Sequence, residues 1–194
     1  MKITDVIFAL IFGRVIGFLI GDFLREWNIN IGLYWGLVIW LAFPIISLFC
    51  LWVAFLLGRK LLFVFQGAKF FLVGAAATVV DLKLFELLFW FFPIVVLAKG
   101  MSFIISTFLK YWGNKYWAFG KHEKEDMHKE IIQFFFITAI GLLIDITCFY
   151  YIAEILGPQF SFPDAIWLKI SVIIAAIAAA SWNFLGYKFF VFKK

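Results

Sequence analysis

Apolar residues run through this chain in six long blocks separated by short polar or proline-bearing breaks. The blocks cover approximately Val6 to Leu24, Leu33 to Leu57, Phe70 to Phe92, Ile94 to Trp117, Ile131 to Leu156 and Ile166 to Phe190. Each approaches the roughly 20 residues that a membrane-spanning helix requires. Pro93 parts the third block from the fourth, and Gly157-Pro158 with Pro163 parts the fifth from the sixth. Pro44 lies inside the second block, where neighbouring membrane helices can accommodate a kink. The pattern predicts an all-α, polytopic membrane helix bundle of six transmembrane helices.

Blocks three and four share an order of landmarks with blocks five and six. Phe70-Phe71-Leu72-Val73 precedes Asp81 as Phe134-Phe135-Phe136-Ile137 precedes Asp145, with Ala77 opposite Gly141. Pro93 and Lys99 then match Pro163 and Lys169, and Lys115-Tyr116-Trp117-Ala118-Phe119 matches Lys188-Phe189-Phe190-Val191-Phe192. Two helices per unit mean that both units enter from the same face, so the repeats are parallel, related about an axis along the membrane normal. The expected organisation is an N-terminal transmembrane hairpin over residues 1–60 and a four-helix domain over 61–194. Its repeats fall at about 61–119 and 131–192. In the hairpin, Gly13, Gly17 and Gly21 form a small-residue ridge at helical spacing. That ridge serves either a tightly packed hairpin or a homo-oligomer face.

Composition removes the soluble alternatives. The 194 residues are 65% hydrophobic and 15% charged, with a mean hydropathy of +1.04, too little charge to cover a soluble domain of this size. The net charge of +5 comes from lysines and arginines at block ends, not from a nucleic-acid-binding surface. Lys2, Arg59, Lys60, Lys115, Lys121, Lys124, Lys129, Lys188, Lys193 and Lys194 collect on one side. Arg25 lies on the other, with Lys99 and Lys169 just inside their helices. The positive-inside rule places both termini in the cytoplasm of a multi-pass protein of the inner (plasma) membrane. The first block lacks a cleavage pattern and reads as a retained helix. Cys50 and Cys148 sit in apolar surroundings and read as buried thiols. His122 and His128 have the wrong spacing for a helical zinc site, and no cofactor fingerprint or nucleophile–base set is present.

The candidate chemistry lies within the blocks. An acid at the centre of a membrane helix costs about 2.5–3.5 kcal/mol, so Asp81 and Asp145 should face a protein interior or a wet path. Asp81 shares its helix with Lys83 and Glu86, which are spaced for a local pair. Arg14 is a further intramembrane cation, with Asp22 or an acid on another helix as its partner. Trp112, Trp117 and Trp182 with Tyr111, Tyr116 and Tyr187 fit an interfacial aromatic belt. Snorkelling alone would explain Lys115 and Lys188.

Phe70-Phe71-Leu72-Val73-Gly74, Asp81 and Asn114-Lys115-Tyr116-Trp117-Ala118-Phe119 resemble the first half of a GtrA-like membrane protein. Gln133-Phe134-Phe135, Asp145, Asn183-Phe184-Leu185 and Lys188-Phe189-Phe190-Val191-Phe192 resemble the second. The resemblance covers about Leu61 to Lys194. It implies a flippase, not an enzyme, that moves a polyprenyl-phosphate-linked sugar from the cytoplasmic to the outer leaflet for cell-surface glycan synthesis. A glycosyltransferase is then an expected partner. The two-helix extension departs from the family pattern. So do Thr138, where the first repeat has Gly74, and Tyr187, where it has Asn114.

On this reading Asp81, Lys110, Asp145 and Asn183 line one polar groove. Lys115 and Lys188 sit at its cytoplasmic mouth, Lys99 and Lys169 lie toward its outer end, and Asn114 is a further substrate-binding residue. Lysine suits a phosphate that must be released, because it contacts as a point charge. Two rivals compete: a small proton-coupled exporter of cations, which would use the acids, and a non-transporting membrane partner of a glycosyltransferase.

Overall fold

The computed structural model describes residues 1–26, 33–123, 126–159 and 164–193. The side chains of 19, 21–26, 33–34, 96, 164–166 and 168–169 lie outside that description. Pro163, Lys124 and Lys194 therefore fall outside it altogether. For Gly21, Asp22, Arg25 and Lys169 only the backbone is described.

The described chain is all-helical: α1 (Ile3–Glu26), α2 (Leu33–Gly58), α3 (Leu62–Phe91), α4 (Val95–Trp112), α5 (Met127–Tyr150) and α6 (Asp164–Gly186). Three of its helical stretches, Trp35–Gly58, Met127–Leu156 and Ile170–Val191, are long and apolar enough to cross a membrane. Bulky apolar side chains face outward throughout, including Trp90, Phe190, Phe71 and Ile132. Such a surface is at ease in acyl chains and untenable in water.

Breaks fall where backbone chemistry demands them. Pro93 forces the preceding Phe92 into an extended conformation (φ −128°, ψ 92°), and α3 closes there with Phe92 N–H donating to Leu88 O at 2.7 Å. Gly157 ends the fifth helical stretch with φ +64°, a conformation that disfavours any side chain. Helices α4, α5 and α6 each run on into a wider π-helical turn: Gly113–Ala118, Tyr151–Leu156 and Tyr187–Val191. Such turns are uncommon and gather at functional sites.

The chain forms two compact units, residues 1–122 and 123–194. The boundary between these compact units falls between the two helix pairs. In the first unit α1 and α2 share one core with α3 and the 113–118 turn: Ala9, Leu51, Leu72, Val73 and Trp117, flanked by Phe12, Leu48 and Phe65. The Phe8 and Phe12 rings lie 5.3 and 5.2 Å from the Trp117 ring. The second unit pairs α5 with α6 and its terminal turn.

Two glycines of the α1 ridge, Gly13 and Gly17, face α2 inside this hairpin. A Cβ on Gly13 would lie 2.7 Å from Phe43 O, and one on Gly17 would lie 2.9 Å from Phe43 Cβ. Ser47 Oγ, 2.6 Å from Ala9 O, bridges the same contact. Gly13 and Gly17 therefore pack closely on α2. Gly13→Ala should lower stability by about 1–3 kcal/mol, since the neighbour that must yield is backbone. The thermal unfolding midpoint in detergent reads this directly.

Candidate functional site

The expected third block begins at Phe70, yet α3 starts eight residues earlier, and the reason lies at Lys69. This lysine is buried, with its Nζ 2.5 Å from Asp5 Oδ1 at the start of α1. Trp117 Nε1–H donates to the same carboxylate oxygen at 3.1 Å, and the backbone N–H of Lys2 donates to the other at 2.8 Å. Lys69 also donates to Trp117 O at 3.5 Å and lies 4.3 Å from the Phe65 ring centre. Burial opposes ionisation of Asp5, but the bonds from Lys69, Lys2 and Trp117 prevail. They hold its carboxyl below the usual carboxylate range. This three-helix lock was missed in the sequence, where only its buried charges could have signalled it.

Along α3 and α4 the expected site residues fall into two groups. Toward the loop between the helices, Lys99 pairs with Asp81, and Ser102 Oγ–H donates to Asp81 Oδ1 at 2.8 Å. Ser102 is fully buried, whereas Lys99 is half exposed at its side chain. Lys83 and Glu86 form the expected local pair at 2.8 Å. Toward the open end of the hairpin, Asn114 Nδ2–H donates to Lys110 O at 2.8 Å. Lys110 lies eleven residues beyond Lys99 on one continuous helix, about 16 Å along its axis. The structure thus brings Asp81 to Lys99 and Ser102, and Lys110 to Asn114.

Lys115 is fully buried, its Nζ 3.3 Å from Tyr111 Oη, so it does not snorkel. The aromatic belt needs the same correction. Tyr111, Trp117 and Tyr187 are core residues, while Trp112 and Trp182 are exposed. Cys50 is exposed, not buried. Arg14 places its guanidinium 3.3 Å from the Trp40 ring centre, a stacked contact that partly offsets its lost hydration.

In the second unit Asp145 is half-buried, and Lys169, its expected counterpart, has no described side chain. Asn183 is buried against Gly141, where a Cβ would lie 2.8 Å from both its Cγ and its Nδ2. Its Oδ1 has no hydrogen-bond partner among the described residues. Thr138 and Tyr187, the two departures from the first repeat, prove to be one feature. Thr138 Oγ1 and Tyr187 Oη lie 2.6 Å apart, and the Tyr187 ring stacks on Phe134 at 4.1 Å. Lys188 is half-buried on the 187–191 turn.

Each unit thus carries polar side chains within its apolar helices: Asp81, Lys99, Ser102 and Asn114 in the first, Thr138, Asp145 and Asn183 in the second. A family model described as GtrA/DPMS, transmembrane domain, matches residues 69–192. That span begins at Lys69 and takes in α4, α5 and α6 with their terminal turns. No match is found among curated proteins or solved structures.

Proposed function

Because this chain belongs to the GtrA/DPMS transmembrane-domain family, we propose that it is a six-span flippase for a polyprenyl-phosphate-linked sugar. The lipid enters from the cytoplasmic leaflet and leaves from the outer one, with both protein termini cytoplasmic. The observation that carries this reading is the family match over residues 69–192, a span that holds ionisable and amide side chains within long apolar helices. A charged headgroup can cross hydrocarbon only where such groups replace its water.

On this reading Lys110, Asn114 and Lys115 receive the headgroup near the cytoplasmic mouth, and Lys99 and Lys169 meet the phosphate nearer the outer end. Asp81 in the first unit, and Asp145 and Asn183 in the second, contact sugar hydroxyls, and Lys188 lies at the cytoplasmic end of the second unit. The Asp81–Lys99 pair keeps an empty path close to neutral and gives way to the phosphate. A proton-coupled exporter of cations would leave that lysine without a task.

The test is transport of a short-chain polyprenyl-phosphate sugar by purified protein in vesicles. Lys110→Gln, Asp81→Asn and Asp145→Asn should each lower the rate while leaving the protein inserted. Transport at the parent rate by all three variants rejects the site. Transport by the protein alone also rules out a mere anchor for a glycosyltransferase.

A further inference from the structure

The two hairpins meet the same packing problem and fill it with different chemistry. In the first, a Cβ on Gly113 would lie 2.8 Å from Val73 Cγ1; in the second, one on Gly186 would lie 2.6 Å from Ile137 Cγ2. Gly113 opens a π-helical turn and Gly186 directly precedes one, and the two turns close in the same way. Phe119 N–H returns to Asn114 O at 2.9 Å, and Phe192 N–H returns to Tyr187 O at 2.7 Å. Asn114 and Tyr187 thus hold one position, directly after the glycine. Gly74 and Thr138 hold another, directly after Val73 and Ile137.

In the second hairpin these positions seal each other. The Thr138 and Tyr187 hydroxyls bond at 2.6 Å, and Tyr187 is fully buried. In the first hairpin the position matching Thr138 is left open. A Cβ added to Gly74 would meet nothing within 4 Å. Asn114 is fully buried, yet its Oδ1 has no hydrogen-bond partner among the described residues. A buried acceptor left unmet is costly, and such groups are rare in folded proteins without a reason. The second hairpin demonstrates that this scaffold accepts a self-satisfied pair at these positions. Lys110, whose carbonyl holds the Asn114 amide, sets a cation one turn away, and Lys115 follows directly.

We propose that the first hairpin keeps a polar notch between Gly74 and Asn114 that binds the headgroup of a glycosyl phosphate. A sugar hydroxyl donates to Asn114 Oδ1, and the phosphate lies beside Lys110. The second hairpin's equivalent notch is closed by Thr138 and Tyr187 and binds nothing. The lipid-linked identity of the ligand rests on the flippase reading; the notch itself does not.

The test copies one hairpin's solution into the other, with full-length protein in nanodiscs. Gly74→Thr/Asn114→Tyr should keep or raise the unfolding midpoint and weaken binding of a polyprenyl-phosphate sugar at least tenfold. Thr138→Gly/Tyr187→Asn should lower the midpoint and leave binding within twofold. Asn114→Leu, which keeps the volume and removes the acceptor, should weaken binding like the double variant and remains informative if that variant fails to fold. Polyprenyl phosphate without its sugar should bind at least tenfold more weakly than the glycosylated lipid. Free sugar phosphate should compete in the parent and not in Gly74→Thr/Asn114→Tyr.

Equal binding by parent and Gly74→Thr/Asn114→Tyr overturns the proposal, as does equal binding of the sugar-free lipid. Parent protein that binds but never transports sinks the flippase reading and leaves the notch standing. Transport undiminished in the folded Gly74→Thr/Asn114→Tyr variant does the reverse.

Discussion

Asp5→Asn and Lys69→Met should each destabilise the protein by about 3–5 kcal/mol, because each leaves its former partner as a buried charge without its counter-ion. Lys69→Met strands a carboxylate that retains the Trp117 and Lys2 donors. Asp5→Asn strands an ammonium beside the Phe65 ring. Asp5→Leu/Lys69→Met should recover most of the loss, since well-packed apolar residues often match a buried ion pair. The recovery will be partial, because Trp117 Nε1 loses its acceptor. Thermal unfolding in detergent of Asp5→Leu, Lys69→Met and their double variant measures the coupling directly. A strictly additive double variant would mean that the two charges do not act together.

The pH dependence follows in sign from Asp5. Its folded carboxyl ionises below the usual 3.8, so its contribution is fully present above that value and is lost as pH falls through the folded one. The stability gap between parent and Asp5→Asn should therefore be flat from pH 7 to 5 and shrink only in stronger acid. A gap that closed near pH 6 would contradict the lock.

The second large effect concerns Asp81. Asp81→Asn should cut transport by about tenfold, equivalent to about 1.4 kcal/mol at the barrier. If the pair with Lys99 served only to hold α3 on α4, then Asp81→Ala/Lys99→Ala would restore both stability and transport. If the pair serves the headgroup, the double variant recovers its unfolding midpoint and stays slow. Measuring midpoint and rate on the same preparation separates the two outcomes.

Helix placement was largely legible, because an apolar block of spanning length has few alternatives. Five of the six helical stretches start and end within a few residues of their blocks. The third did not, and the cause is specific. Gln66, Gly67 and Lys69 look like the end of a buried segment unless one knows that Asp5, far away in sequence, neutralises the lysine. No periodicity carries that information. The π-helical turns were equally hidden, since no residue type marks them. Lys115 reads as a snorkelling anchor because it lies at the end of its apolar block, and only the packing of Tyr111 reveals it as buried. Thr138 and Tyr187 were visible as departures from the repeat, but a departure read singly looks like decay. Seen 2.6 Å apart, they are a matched substitution.

The buried carboxylate of α1 also sets where this protein can be cut. An expression fragment chosen by the family span, from residue 69 onward, would keep the ammonium and discard its counter-ion. Deleting the first hairpin therefore does more than remove a passenger; it turns a neutral interior into a charged one. The smallest independently stable piece should begin ahead of Asp5, and trimming from the amino end should fail abruptly at that residue, not gradually along α1.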